Sequence, residues 1–251
     1  MRSPLDPSPI PLYVRIAEQL RHDIQIGMHA IGDRLPTETQ LSERFDVNRH
    51  TLRRAIGLLK DEGLLRVERG RGTFVAAPPI RYPIGKRVRY NEMLKAHGLQ
   101  GSYKLLRAME LPADASVAKH LAIKFGEMAI AIDRVGYADD QPIHVASSYF
   151  PKHRFPNLLE FVPEMRSISK LLMDKYDCDH LRQVTTVSAR TVKPQDARLL
   201  GLPLNHPILL VESVNVDREG KPIEYGVTRL RGDSMELVFE NQLDASTGQY
   251  S

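Results

Sequence analysis

The sequence predicts an α+β protein of two domains. Three features predict this class: an N-terminal run of three amphipathic helices followed by a short hairpin, a proline-rich stretch after the hairpin, and a longer C-terminal part in which strands outnumber helices. A chain of 251 residues suits two domains of modest size. We therefore place the first domain at residues 1–76, the linker at 77–86 and the second domain at 87–251.

Capping and stop signals delimit the helices of the first domain. Thr37 and Asn48 are each placed to cap a helix, and Gly63 is placed to end one. Apolar residues recur every three or four positions between these signals. We expect three helices, over residues 12–26, 38–45 and 49–62. A strand over 64–68, a glycine-rich turn and a strand over 73–75 then form a hairpin.

The prolines at positions 78, 79 and 83 interrupt both a helix and a central strand, which is why the linker is placed there. Beyond them, helical and strand-like patterns follow one another. We expect helices over residues 88–98, 117–121, 158–162, 168–176 and 194–201. We expect strands over residues 129–135, 143–150, 184–191, 208–217, 223–231 and 235–240. These strands predict a largely antiparallel sheet with helices beside it.

Composition argues against several classes of protein. No run approaches the roughly 20 apolar residues that a membrane-spanning helix needs, and prolines interrupt the N-terminal stretch where a secretory signal needs apolar continuity. Cys178 is the one cysteine, which excludes an intramolecular disulfide and a multi-cysteine metal site. The nine histidines form no metal-binding motif. We expect a cytoplasmic protein without a metal, a cofactor or a membrane partner.

Charge is distributed unevenly along the chain. The net charge is +4, but residues 1–89 hold 16 Lys and Arg against 10 Asp and Glu, whereas residues 90–251 hold 19 against 21. A basic first domain is typical of proteins that bind a polyanion, most often nucleic acid. A solvated basic surface gives the same composition, so charge alone leaves both interpretations open.

Three helices followed by a hairpin are typical of a winged helix-turn-helix, which places the start of its third helix against base edges in the major groove. Arg49 and Arg53 lie at that start, where an arginine can form two hydrogen bonds with guanine. Arginines on the hairpin can reach phosphates or a minor groove. The predicted DNA-binding residues are Arg34, Thr37, Arg49, His50, Thr51, Arg53, Arg54, Arg69, Gly70 and Arg71. The alternative is an ordinary core with a solvated basic face.

This first domain resembles a known family. The resemblance rests on residues 11–13 (PLY), 35–38 (LPTE), 47–55 (VNRHTLRRA), 63–65 (GLL) and 70–75 (GRGTFV). Over residues 10–76 the chain is similar to the DNA-binding domain of GntR-type bacterial transcriptional regulators. The resemblance implies that Arg49, Arg53 and Gly70 contact operator DNA, and that dimers bind near-palindromic sites. One position departs, because Thr39 stands where family members often carry an arginine.

The second domain resembles the UTRA effector domain of the HutC branch of that family, over residues 82–241. The resemblance rests on residues 89–91 (RYN), 148–151 (SYFP), 188–190 (SAR), 222–227 (PIEYGV) and 231–233 (RGD). It implies a fold similar to chorismate lyase, in which an antiparallel sheet flanked by helices encloses a small-molecule pocket. Within the branch, the resemblance is strongest to regulators of phosphonate uptake and breakdown.

A phosphonate or phosphate ester needs cationic side chains and neutral donors, because charge-assisted hydrogen bonds are about twice as strong as neutral ones. The predicted effector-binding residues are Arg89, Tyr90, Asn91, Arg134, Ser148, Tyr149, Arg190, Glu224, Tyr225, Thr228 and Arg231. Glu224 is expected to hold a hydroxyl or amine of the ligand. Gly136 and Ala146 stand where sugar-phosphate sensors of the branch often carry an arginine and an acidic residue, which argues against a hexosamine phosphate.

The leading hypothesis is a ligand-responsive transcriptional repressor that binds operator DNA as a homodimer and senses a small anion. The alternative ligand is a sugar phosphate or an amino-acid catabolite. A chorismate-lyase-like enzyme is the competing class, although the sequence contains no Ser-His-Asp set and no carboxylate pair with a motif's spacing. An architectural DNA-binding dimer without a ligand is the third class.

Overall fold

A computed structural model describes residues 10–68, 70–87 and 90–240, apart from the side chain of Glu68. The chain divides into two compact units, and the division falls between Pro78 and Pro79. The first unit contains helices and one hairpin, whereas the second is built around a large sheet.

The first unit has three helices and a two-stranded antiparallel hairpin. Its elements are α1 (Leu12–Gln25), α2 (Glu38–Phe45), α3 (Arg49–Asp61), β1 (Leu65–Glu68) and β2 (Gly72–Val75). Leu20, Leu52 and Leu59 are fully buried where α1 and α3 pack together, and Leu41 joins them from α2. Burial of these apolar side chains is the main term that holds such short helices together.

Caps set the helix boundaries that the sequence predicts. Thr37 and Gln40 form a capping box, in which each side chain bonds to the backbone N–H of the other residue. Asn48 adopts an extended backbone and its side chain accepts from the third residue of α3. These bonds satisfy donors that would otherwise be left open at a helix start.

The second unit is an antiparallel six-stranded sheet with helices on both faces. Its helices are α4 (Tyr90–Ala96), α5 (Ala115–Leu121), α6 (Leu158–Phe161), α7 (Ile168–Tyr176) and α8 (Pro194–Leu200), with short 3-10 helices at Lys152–Arg154 and Val162–Glu164. Its strands are β3 (Ile80–Pro83), β4 (Gly101–Pro112), β5 (Met128–Ala138), β6 (Gln141–Pro151), β7 (Leu181–Thr191), β8 (Pro207–Val216), β9 (Pro222–Arg231) and β10 (Met235–Val238). The strand order in the sheet is β4-β5-β6-β9-β8-β7.

Side-chain alternation along the strands gives the sheet two different faces. Ile130 and Ile132 of β5 pack against α6 and α7 on one face, which we call the inner face. Ala129 and Val135, at alternate positions of the same strand, lie on the outer face. Ala129 packs near α5 and Val135 packs near α8. A residue's position along its strand therefore decides which set of helices it meets.

Two strands differ from the sequence-based expectation. Ile80–Pro83, inside the predicted linker, forms β3 and pairs in parallel with β10, with its proline at the last position. An edge position and a strand end tolerate proline, because no backbone donor is needed there. The 12-residue β4 was not expected, since its mixed polar and apolar residues lie at the edge of the sheet. Val88, at the start of the predicted helix over 88–98, lies outside the described residues.

Candidate functional site

The start of α3 presents basic side chains from a capped helix end. The side chain of Asn48 accepts hydrogen bonds from the backbone N–H of Thr51 at 2.9 Å and from its hydroxyl at 3.1 Å. Arg49 is exposed and donates from Nη2 to the hydroxyl of Thr39 at 3.3 Å. Thr39 of α2 therefore supports an arginine of α3.

Arg53 lies one helical turn beyond Arg49 and forms an ion pair with Glu38 at the start of α2. Its Nε lies 3.1 and 3.0 Å from the two carboxylate oxygens, and its side chain is 65% exposed. The hydrogen bond and the charge of Glu38 raise the pKa of the Arg53 guanidinium. Exposed ion pairs of this kind stabilise a fold little, so Arg53 can exchange Glu38 for a base edge at small cost.

Two predicted DNA-binding residues have partners inside the first unit. The Arg54 guanidinium lies 3.9 Å from the ring centroid of Tyr13 on α1. The Thr37 hydroxyl donates to the side chain of Gln40 at 2.9 Å within the capping box. His50 is exposed at the start of α3. Arg54 and Thr37 thus stabilise the helices that carry the exposed arginines.

The hairpin carries a second group of basic residues. The backbone of Arg34 forms a bridge with Phe74, and a Cβ added to Gly72 would lie 2.7 Å from the Arg34 Nε. Arg66 and Arg71 lie over the Phe74 ring, at 5.3 and 5.9 Å from its centroid. Gly70 has a φ of +77°, which favours glycine in this turn. Arg69, predicted to bind DNA, lies outside the described residues.

We expect Arg66→Ala to weaken binding to all DNA duplexes alike. A phosphate contact carries no sequence information, so operator and random DNA should lose affinity equally. The slope of log affinity against log salt concentration should fall by about one. Fluorescence anisotropy over a salt series measures both effects, and a loss confined to the operator would contradict a phosphate contact.

The second unit contains a cavity of about 660 Å³ between the inner face of the sheet, α4 and α7. Six predicted effector-binding residues line it: Tyr90, Asn91, Arg134, Ser148, Glu224 and Thr228. Strand alternation explains the set, since Ser148 of β6 and Glu224 and Thr228 of β9 all lie on the inner face.

Four other predicted effector-binding residues are not brought to this cavity. Tyr149 and Tyr225 each follow a cavity residue by one position and therefore lie on the outer face near α5. Arg231 binds the side chain of Asp233, and Arg190 is exposed on β7 and donates to a neighbouring carbonyl. Arg89 lies outside the described residues.

Glu224 is the centre of a buried polar network at the cavity wall. Its Oε2 accepts from His180 Nε2 and from the side-chain amide of Asn215, each at 2.6 Å. Burial raises the pKa of Glu224, but its interactions with His180, Ser148 and Arg134 outweigh burial and hold the pKa at about 2. Glu224 is therefore a carboxylate at neutral pH, and acceptors on the wall favour a ligand that carries a hydrogen-bond donor.

His180 links this network to α7. Its Nε2 donates to Glu224, and its Nδ1 lies 2.8 Å from the Ser169 hydroxyl, so the ring joins the two side chains. The sequence contains no recognisable motif for this Ser-His-Glu chain, because its members lie on α7, at the start of β7 and on β9. Alternating polar residues of β8, Ser213 and Asn215, were the signal that sequence reasoning missed.

Arg134 of β5 is the cation at the inner face of the sheet. Its guanidinium has no hydrogen bond or ion pair with any residue that the structure describes. Burial lowers its pKa, and the charge of Glu224 opposes that shift. By contrast, Arg87 binds Asp179 at 2.7 Å, and Arg182 donates to the Tyr82 hydroxyl at 3.0 Å. A guanidinium in a cavity that has no directly bonded carboxylate among the described residues is suited to bind an anion.

A neutral histidine fills the space beside Arg134. Burial and the charges of Arg134 and Arg229 lower the pKa of His144 to about 3. Its Nδ1 lies 3.0 Å from the hydroxyl of Tyr90, a cavity residue of α4. A Cβ at Gly136 would lie 2.0 Å from the ring, so a larger side chain at Gly136 would displace His144. An arginine at position 136 would therefore not fit beside His144 as it lies here.

The segment that leads out of the first unit forms part of the cavity wall. Tyr82 and Arg87 both line the cavity. Asp179 binds Arg87 through two hydrogen bonds, at 2.7 and 3.2 Å, and Arg182 donates to the carbonyl of Gly85 at 3.1 Å. A ligand that entered the cavity would therefore meet residues 82 and 87, near the start of the second unit.

Two further properties concern the described residues alone. Residues 10–68, 70–87 and 90–240 contain no group of three or more His, Cys, Asp or Glu side chains arranged to hold a metal ion. None of the helices in this part of the chain is long and apolar enough to cross a membrane.

Comparison with known proteins gives matches to both units. Residues 12–75 match the model of bacterial regulatory proteins of the gntR family, and residues 96–236 match the UTRA domain. The two regions coincide with the helices and hairpin of the first unit and with most of the sheet of the second.

Several relatives are similar over nearly the whole chain. The probable transcriptional regulator PhnF of Escherichia coli is 31% identical over 91% of this chain and 95% of its own. The transcriptional repressor PhnF of Mycolicibacterium smegmatis is 32% identical over 83% of this chain and 84% of its own. The crystal structure of PhnF from Mycobacterium smegmatis gives a TM-score of 0.66 at 29% identity, covering 90% of this chain and 99% of the other. The chain therefore belongs to the gntR family of bacterial transcriptional regulators, with a helix-turn-helix for DNA and a UTRA domain for a small-molecule effector.

Proposed function

We propose that this protein is a repressor whose operator affinity is controlled by a small anion, a phosphonate or a phosphate ester, bound in the cavity of the second unit. The observation that carries the proposal is Arg134, a guanidinium at the cavity wall with no partner among the described residues. Unpaired buried cations are costly, and a bound anion removes that cost.

The rest of the wall supports an anion that also carries a donor group. Among the described lining residues, five are basic and three are acidic. Ser167 and Ser169 lie at the start of α7, where the helix dipole favours negative charge. Glu224 and the side-chain oxygen of Asn215 supply acceptors, and that oxygen has no hydrogen-bond partner in the part of the chain that the structure describes. A phosphonate with a hydroxyl or amine group fits both the basic residues and the acceptors of the wall. A sugar phosphate is the alternative ligand.

The DNA side of the proposal uses a homodimer on a near-palindromic operator. A recognition helix reads only a few base pairs, and a two-fold dimer doubles the interface. Arg49 and Arg53 would contact bases, whereas the hairpin arginines and Gly70 would contact the backbone. We assign DNA binding to residues 1–76 and effector binding and dimerisation to 87–251, acting in the cytoplasm where bacterial operator DNA lies.

Coupling between the two sites would run through the segment at residues 80–87. An anion near Arg134 would compete with Asp179 for Arg87 and change how firmly that segment is held. The ligand need only favour the geometry that does not bind the operator. A coupling free energy of about 1 to 3 kcal/mol would shift operator affinity roughly 5- to 150-fold.

Calorimetry tests this proposal. Methylphosphonate, glycerol 3-phosphate and glucose 6-phosphate would be titrated into the full chain alone and into its complex with a duplex selected from random sequences. We expect one of the first two to bind the free protein at least fivefold more tightly than the complex. Equal affinities in both titrations would contradict the switch, and binding of glucose 6-phosphate alone would favour the sugar phosphate.

Catalysis is the competing function, and the Ser169, His180 and Glu224 chain is the observation that favours it. The relatives with assigned roles are transcriptional regulators. We therefore assign Ser169, His180 and Glu224 a role in positioning the ligand rather than in turnover. An assay of chorismate with the purified protein decides, because product formation would require a catalytic role.

A further inference from the structure

The six-stranded sheet ends in two edge strands, β4 and β7. The first two residues of β7 are covered, because Arg87 forms a bridge with Leu181 and the backbone N–H of Arg182 donates to the Lys86 carbonyl at 2.8 Å. From residue 184 to residue 191, β7 pairs on one side with β8 and has no strand on its other side within the described part of the chain, and its register shifts just before this stretch, between Arg182 and Val184. Alternate residues of this stretch therefore present unpaired backbone N–H and C=O groups at the edge.

The two edges differ in their protection against another strand. β4 carries Lys104, Arg107 and Glu110, shifts its register between Leu105 and Arg107, and ends at a proline. Charges, irregular register and proline are the devices that prevent edge-to-edge pairing. Residues 183–189 of β7, with the sequence QVTTVSA, contain no charge, no proline and no glycine. The register of β7 also shifts, but only at the start of its open stretch, and Arg190 is the one charge in that stretch, so the edge at β4 is better protected than the edge at β7.

Apolar exposure accompanies this open edge. The side chain of Val184 is 51% exposed and that of Val187 is 37% exposed. Exposed β-branched residues on a long unprotected edge favour addition of a further strand. We propose that a second copy of this chain adds its own β7 here, antiparallel, so that two six-stranded sheets form one continuous sheet of twelve strands. This inference depends on the homodimer of the proposed function and locates its interface.

Two-fold symmetry fixes the register of this pairing. An antiparallel pair of identical strands places one residue opposite its own copy on the axis. Centring on Val187 pairs residues 184–190 with their copies, after the register shift at residue 183, and sets Arg190 opposite Val184. Centring on Thr186 would set Arg182 opposite Arg190, two like charges, and would collide with the segment that covers Arg182. The geometry therefore points to Val187 as the residue on the axis.

A cysteine on the axis tests the interface directly. We expect Val187→Cys in the full chain to form a disulfide-linked dimer in air, seen by non-reducing electrophoresis and reversed by dithiothreitol. The matched control is Leu106→Cys on β4, where the side chain is 38% exposed. That variant and the wild type, whose Cys178 is buried, should give only the monomer band.

A charge on the axis gives an independent measurement. Val187→Lys places two ammonium groups opposite each other and should raise the dimer dissociation constant at least tenfold by sedimentation, whereas Leu106→Lys should leave it unchanged. If the wild type is a dimer but Val187→Cys forms no disulfide and Val187→Lys leaves the dissociation constant unchanged, the β7 interface is wrong. The proposed homodimer would then remain, with another interface. A wild type that stays monomeric at all concentrations would overturn both.

Discussion

Arg49→Ala and Arg53→Ala should each lower affinity for the operator roughly 5- to 150-fold and leave affinity for random duplexes nearly unchanged. The reason is that both side chains lie exposed at the start of a capped α3, where a bidentate contact with guanine is worth about 1 to 3 kcal/mol. Fluorescence anisotropy with the selected operator and a scrambled duplex, both at one fixed salt concentration, measures the two affinities.

Lys60→Ala is the matched control for these two variants. It removes one positive charge from the exposed far end of the same helix, so any loss caused by net charge alone should appear there too. If Arg49→Ala and Arg53→Ala reduced binding to operator and scrambled DNA by equal factors, they would contact phosphates and the assignment of base contacts would be wrong. Circular dichroism checks that each variant keeps its helices.

Signals between neighbours in sequence predicted the first unit well. The bounds of α2, Glu38–Phe45, are confirmed, because a capping box and a turn fix both ends locally. The start of α3 is confirmed for the same reason, since Asn48 caps it within three residues. The strands of the second unit are mostly confirmed to within three residues, since buried strands carry a clear apolar alternation.

Interactions between distant residues could not be read from the sequence. Glu38 and Arg53 are 15 residues apart, and His180 and Glu224 are 44 apart, so no local pattern joins them. The expected effector-binding residues included Tyr149 and Tyr225 as neutral hydrogen-bond donors, but each lies one position after a residue that lines the cavity. Which of two adjacent residues faces inward depends on the register in which a strand pairs with its neighbours. That register is set by the folded sheet, not by the local sequence.

Replacing Arg134 with methionine should abolish the response to an anionic ligand while operator binding persists. Methionine keeps a long apolar stem but removes the charged donors, and hydrogen bonds to a charged group are worth about 1.5 to 3 kcal/mol each. We expect ligand affinity to fall roughly 10- to 150-fold by calorimetry. Operator affinity without ligand should stay within twofold of wild type, because Arg134 has no bond to any described residue that the variant would break.

Arg198→Met is the control that separates the cavity from general charge. Arg198 is exposed on α8, does not line the cavity and lies outside the proposed β7 interface. The same substitution there removes the same charge, so long-range attraction of an anion should weaken equally in both variants. If Arg198→Met lost as much affinity as Arg134→Met, the ligand would bind elsewhere. If Arg134→Met alone lost it, the anion would bind at the inner face of the sheet.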